Sequence, residues 1–207
     1  MLLANAKKIA EGIKEDILDI KGVKQVEICG GIRRYKPEVK DIDILVVGKS
    51  SIMFEIAKLG DKIRWQGEKK LAFIEKECGM QVDINRIKSK AHIGAMMLFM
   101  TGPGKLNIVM RIKAKKRGMK LNQYGLWRDD VLLSDKEDDI FGLVGMQWMS
   151  PYTRELFNVG RIARKYKVQS SSNPLKYYII RVDEFEHKTC TCLGFRYRGK
   201  CKHLEEV

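Results

Sequence analysis

Along the first twenty positions apolar residues recur at Ile9, Ile13 and Ile17, a spacing of four that predicts an amphipathic helix over about residues 3–19, stopped by Lys21-Gly22. The pattern then shortens to that of strands. "VKQVEICG" predicts a strand running into Gly30-Gly31, and "DIDILVVG" a second, buried one. "KIRWQG", "KLAFIEKE" and "MQVDINRI" predict three more, joined by tight turns at Gly67-Glu68 and Cys78-Gly79. From Ala91 the period becomes helical: "AHIGAMMLFM", a break at "TGPG", then "KLNIVMRIKAKKRG". A hairpin region ("MKLNQYGLWRDDVLLS") precedes a helix, "SDKEDDIFGLVG", whose Ser134 and Glu137 have capping-box spacing. A basic helix is predicted around Leu156–Lys167, followed by the hinge "QSSSNP" and a tail with three of the five cysteines. There is no internal repeat.

Composition narrows the partners. The 207 residues allow one domain of usual size plus an appendage, and 44% hydrophobic content is ordinary for a globular chain. A net charge of +14 and a pI near 9.6 point to a polyanion: nucleic acid first, an anionic membrane surface second. No apolar run approaches the ~18 residues of a spanning helix, so no membrane is expected. Five cysteines without a secretory signal suit a reducing, cytoplasmic setting, where they serve as metal ligands more readily than as disulfides.

Within "GGIRRYKPEVKDIDILVV", Asp41 and Asp43 project from one face of a strand, since side chains alternate with period two. Two bare carboxylates that close repel each other unless a cation sits between them. Solvated acids on an edge strand would satisfy that pattern. So would a nucleotidyl-transfer site, in which magnesium takes a few hard oxygen ligands. Asp83 in "QVDIN" is the acid placed centrally in another apolar strand, a third ligand. Gly30-Gly31 ends one strand and opens a helical turn, leaving backbone N–H groups open to phosphate, with Arg33 and Arg34 following.

The tail reads Cys190-x-Cys192, then Cys201-x-His203. Three thiolates and one imidazole fill a tetrahedral zinc shell with no open position. His187 lies off that pattern, and Cys29 and Cys78 stand alone as a core and a turn residue. Lys188, Arg196, Arg198, Lys200 and Lys202 interleave with Phe195 and Tyr197. That arrangement suits a nucleic-acid end and equally a solvated rim on a folding-only knuckle.

The ordered set "GGIRRYKPEVKDIDILV", "VDIN", "LFMTGPGKLNIVMRIKAKKRG", "LNQYGLW" and "DDIFGLVGMQWMSPYTRE" resembles the family X DNA polymerases, the polymerase beta group, over about residues 3–155. "LKYYIIRVDEFEHKT" with the cysteines after it resembles the SWIM zinc finger. The resemblance implies an α+β fold: a nucleotidyltransferase palm of mixed sheet and helices (1–90), a subdomain closing over the nascent base pair (91–155), a linker helix and hinge (156–173), and a small ββα zinc-binding tail (174–207). It implies that Asp41, Asp43 and Asp83 hold two magnesium ions, for which manganese can substitute, with Asp83 nearest the primer 3′-hydroxyl. Gly30, Gly31 and Arg34 would meet the triphosphate. Phe99, Thr101 and Gly102 would pack on the sugar, with Phe99 as the gate against a 2′-hydroxyl. Asn107 would reach the new base pair; Arg111, Lys115 and Lys116 would face DNA. By spacing alone Phe99, Asn107 and Arg111 equally describe a helix with one apolar and one basic face.

There are departures from the family. Gly31 stands where serine is common, Met100 where an aromatic is common, and Asn85 where arginine is common. The lyase and helix-hairpin-helix regions that usually precede the palm have no counterpart, so gap recognition through a 5′-phosphate is not part of the expectation. The expected function is template-directed addition of deoxynucleotides to primer-template DNA by a monomer, in short-gap repair. One structural zinc would hold a finger that meets DNA or a protein. The alternatives are a template-independent nucleotidyltransferase and, further off, a DNA-binding protein with a vestigial core.

Overall fold

The spacing Ala6, Ala10, Ile13, Ile17 places four buried residues on one side of helix α1 (Leu3–Leu18), and that side covers a sheet. After β1 (Val23–Ile28) come a single helical turn α2 (Gly30–Arg33), then β2 (Asp41–Gly48), α3 (Ile52–Ala57), β3 (Lys62–Gln66), β4 (Lys70–Ile74) and β5 (Gln81–Ile87). The structure, a computed structural model, describes residues 1–155, 162–170, 173–183, 188–198 and 200–206. Two units are distinguished, Met1–Phe157 and Asn158–Val207.

The five strands form one mixed sheet in the order β1-β2-β5-β4-β3, parallel between β2 and β5 and antiparallel elsewhere. Period-two alternation decides which residues face which layer. Ile42, Ile44 and Val46 join Val82, Ile84, Leu71 and Phe73 in a core beneath α1 and α3. Leu45, Val47 and Ile87 face the other way, against Met96. Asp41 and Asp43 share that second face, at the end of β2 where the apolar run has not begun. Helix α3, six residues long, was not anticipated; Ile52, Met53 and Ile56 anchor it, too short a run for periodicity to reveal.

Helices α4 (Ile93–Thr101) and α5 (Gly104–Lys116) flank Gly102-Pro103. A three-stranded meander follows, β6 (Lys120–Asn122), β7 (Gly125–Arg128) and β8 (Val131–Ser134), then α6 (Glu137–Leu143) and α7 (Pro151–Glu155). Leu98, Leu106, Met110, Leu126, Ile140 and Phe141 make its separate core. The capping box expected at α6 is not formed. Lys136 is the N-cap and makes no side-chain cap, while the Ser134 hydroxyl accepts from the Lys136 N–H (3.1 Å) and donates to Asp139 Oδ2 (3.1 Å). Glu137 is turned inward to two arginines.

In the second unit β9 (Ile162–Ser170), β10 (Asn173–Asp183) and β11 (Lys188–Cys190) form an antiparallel sheet in the order β11-β10-β9, followed by α8 (Leu193–Arg198) and a 3-10 turn, Lys202–Glu206. This corrects the basic helix expected over Leu156–Lys167: residues 162–167 are strand, and 156–161 lie outside the described residues. Lysine, arginine and alanine favour helix locally, but Tyr166 and Val168 alternate with Lys165 and Lys167, and pairing with β10 wins. Within the span expected as linker, Ile162–Ser170 form a strand of the tail's sheet. His187 also lies outside the described residues. Among the described residues no helix is long and apolar enough to cross a membrane.

Candidate active site

Register brings the acids together. Across the parallel pair, Asp43 lies opposite Asp83 and Asp41 opposite Gln81, so three carboxylates share one face of two adjacent strands. The row continues through Ala72 on β4 to Trp65 on β3, and Lys70 lies beside it opposite Asn85. Burial pushes the Asp43 carboxyl up from its usual range to about 7, and the neighbouring Asp41 and Asp83 add to the shift. Burial raises Asp83 as well, against the pull of Gln81, whose Nε2 donates to both carboxylate oxygens (3.0 and 3.1 Å).

Gly30 explains how so crowded a site closes. It has φ +59°, and a Cβ there would overlap the Asp43 carboxylate. The start of the α2 turn therefore lies directly against Asp43, with the Gly30 backbone as a wall of the site. A carboxylate held above its ordinary pKa among like charges is a site that gains from divalent cations, and hard oxygen donors suit magnesium. Asp41, Asp43 and Asp83 fit such ions.

Arg33, expected to neutralise phosphate, is engaged elsewhere. Its guanidinium makes a paired contact with Glu137 (3.0 and 2.8 Å) and donates to the Thr101 hydroxyl (2.7 Å). Glu137 also receives Nη1 of Arg154 (2.6 Å), whose Nε donates to the Met149 carbonyl (2.9 Å). Arg154 has 0% exposure and lies 5.0 Å from the ring centres of both Phe141 and Trp148. Burial alone would raise the Glu137 carboxyl, but the two arginines hold it below its usual value. Sequence reasoning missed this cluster. Its one signal was the acid at residue 137, read as half of a capping box.

Removing that acid strands two cations, one fully buried. Glu137→Ala should cost about 3–5 kcal/mol, read as an earlier denaturant midpoint for the first unit. A change below about 1 kcal/mol would show that the arginines find other partners.

Thr101 is fully buried, its hydroxyl taken by Arg33 and its carbonyl by Arg34 Nη1. The Thr101 side chain thereby ties α4 to α2. Gly102, with φ +62°, makes the turn after it. Asn107 donates to the Phe99 carbonyl (2.8 Å), and the Arg111 guanidinium lies 5.6 Å from the Phe99 ring centre. Phe99, Asn107 and Arg111, separated in sequence, line one small cleft with Leu121 and Asn122. Lys115 and Lys116 are exposed in the last turn of α5.

In the second unit the ligand atoms of Cys190, Cys192, Cys201 and His203 lie within 4.8 Å of one another. Cys190 ends β11, Cys192 precedes α8, and the 3-10 turn brings Cys201 and His203 back. All three cysteines are free thiols, and Phe195 N–H donates to Cys192 Sγ (3.3 Å). Four such atoms converging on one point fit a closed, soft-ligand metal site. Lys188, one of the basic residues interleaved with aromatics in the tail, donates to the Leu204 carbonyl (3.3 Å).

The family described as DNA polymerase beta thumb matches residues 96–155. Repair DNA polymerase X of African swine fever virus, isolate Warthog/Namibia/Wart80, is 28% identical over 143 residues, covering 63% of this chain and 82% of that protein. The same polymerase of an isolate from Pretoriuskop, South Africa, is 27% identical over the same length, with the same coverage of both chains. Among solved structures, Leishmania infantum polymerase beta in its ternary P/T complex aligns with a TM-score of 0.64 at 20% identity, over 74% of this chain and 76% of that one. Its ternary gap complex gives 0.64 and 20%, over 75% and 70%. The fold is that of polymerase beta. In thumb, sequence and fold the chain is similar to DNA polymerases, repair polymerase X and polymerase beta, and that similarity supports enzyme activity as a DNA polymerase.

Proposed function

We propose that the chain is a template-directed DNA polymerase that adds deoxynucleotides to a primer 3′-hydroxyl during short-gap repair in the cytoplasm, working as a monomer. The observation that carries the reading is the register of Asp43 against Asp83, with Asp41 one pleat along, beneath the Gly30-Gly31 turn. Two magnesium ions held by the three carboxylates would supply the charge that acidifies the attacking hydroxyl and offsets that of the phosphates. Asp83, its carboxyl raised by burial and oriented by Gln81, accepts the 3′-hydroxyl proton. The Gly30-Gly31 backbone and Arg34 hold the triphosphate, and Phe99 bounds the sugar. The kinship with repair polymerases supports the choice of DNA and of repair. The four convergent ligands of the tail support a SWIM-like zinc finger.

Primer extension with magnesium on gapped and open primer-templates tests this. The nucleotide complementary to the template base should be incorporated at least tenfold faster than the others. Equal use of all four whatever the template would make the chain a template-independent transferase. No incorporation would leave a DNA-binding protein with a vestigial core.

A further inference from the structure

The β9–β10 ribbon has two faces of opposite character. Tyr166, Val168, Tyr178, Ile180 and Val182 point inward and pack with Cys190, Cys192 and Phe195. The alternate residues point out in three cross-strand pairs: Lys165 opposite Arg181, Lys167 opposite Ile179, and Gln169 opposite Tyr177. Lys165, Lys167, Arg181 and Tyr177 are exposed, Tyr177 at 48%. The Lys167 ammonium lies 4.2 Å from the Tyr177 ring centre, so cation and ring form one contiguous surface.

Two features of this face call for a ligand. Lys165 and Arg181 are like charges directly opposite each other, a pairing that weakens a sheet, and none of the six residues in these three pairs is acidic. An anion bridging the pair would turn repulsion into attraction. Beside it stands a tyrosine that is 48% exposed, on the side of the strand turned away from the core. Cations set along a ribbon with an aromatic at one end match a polyanion that also offers flat rings, and bases are free to stack only where the strand is single.

We propose that the outward face of β9–β10 binds single-stranded DNA: Lys165, Lys167 and Arg181 contact successive phosphates and Tyr177 stacks on a base. This places the strand contact of the second unit on its ribbon. It rests on the reading of the chain as a DNA polymerase.

The full-length chain with Lys165→Gln, Lys167→Gln and Arg181→Gln should bind an oligo-dT at least tenfold more weakly at about 0.1 M salt. Its slope of log affinity against log salt should be shallower by about 2, since each lost phosphate contact on a single strand removes about 0.7. Tyr177→Ala should weaken oligo-dT binding about five- to a hundredfold and leave a blunt duplex hairpin unaffected. All substitutions lie on the solvent face, and zinc content equal to wild type verifies the fold. A triple variant with full zinc, unchanged affinity and an unchanged slope overturns the proposal. Equal losses on duplex and single strand, with Tyr177→Ala neutral, overturn it too. Primer extension separates the two readings. A wild type that incorporates nucleotides while the triple variant keeps its affinity sinks the ribbon site alone. A wild type that binds oligo-dT through these residues yet incorporates nothing sinks the polymerase reading alone.

Discussion

Asp43→Asn is expected to lower nucleotide incorporation at least a thousandfold and, in the same protein, to raise thermal stability when divalent cations are chelated. The two effects have one cause. Asp43 is held between Asp41 and Asp83 beneath Gly30, where its charged form is poorly solvated and repelled, and its carboxyl titrates at about 7. A folded-state value raised above the ordinary one of 3.8 favours the neutral form. The stability this group contributes is complete below about pH 4 and is lost as pH rises through about 7. At pH 8 in chelator the wild type therefore carries an uncompensated charge worth roughly 2–4 kcal/mol. Asparagine has nearly the same shape and no charge, so the variant should melt about 5–10 °C higher under those conditions. Near pH 5 the gap should shrink, because Asp43 is then protonated in the wild type. Magnesium at pH 8 should raise the wild-type midpoint and barely move the variant's. Calorimetry in chelator at the two pH values reads the stability, and single-turnover primer extension the incorporation. A variant less stable than wild type in chelator at pH 8 would mean that the three acids are not under mutual strain.

The parts of this site differ in how far sequence could expose them. That Asp41 and Asp43 share a face follows from two positions and the pleat of a strand. That Asp83 lies opposite Asp43 depends on the register of a parallel pair whose strands are separated in sequence by α3, β3 and β4. The resemblance to polymerases singled out Asp83; local pattern could only say that an acid interrupts an apolar strand. Arg33, Glu137 and Arg154 illustrate the other limit. Each reads as an ordinary surface charge, and they become a buried cluster only when α2, α6 and α7 pack together. The same holds for β9, whose helix-forming residues adopt strand because β10 provides a partner. Trp65 could not have been placed on the acid face at all, since a shift in register on β3 lies between it and Ile63.

Cys201→Ser should release the metal of the second unit and unfold that unit while the first still extends a primer. Among the described residues the core of the second unit has five that are buried, and two of them, Cys190 and Cys192, are themselves ligand candidates. Without a metal drawing the four ligands together, the described core keeps Val168, Ile180 and Val182 with the partly buried Tyr166, Tyr178, Phe195 and Leu204, a small apolar surface against the cost of ordering some fifty residues. His203, buried with its ring 4.8 Å from that of Tyr178, would lose its place as well. Metal binding and folding are then one equilibrium, as in other small soft-ligand sites. The first unit holds three core clusters of its own and separate acids, so nothing in its chemistry requires the thiols. Elemental analysis should find one zinc per wild-type chain after dialysis against magnesium, and none in the variant, because thiolates prefer zinc to hard cations. Limited proteolysis should remove the tail of the variant and spare that of the wild type. In steady-state extension kcat should stay within about threefold, while KM for primer-template rises about tenfold as the ribbon contact is lost. A collapse of kcat at unchanged KM would make the second unit part of the catalytic body. A wild type without zinc would remove the metal, and with it the reason that so small a core folds.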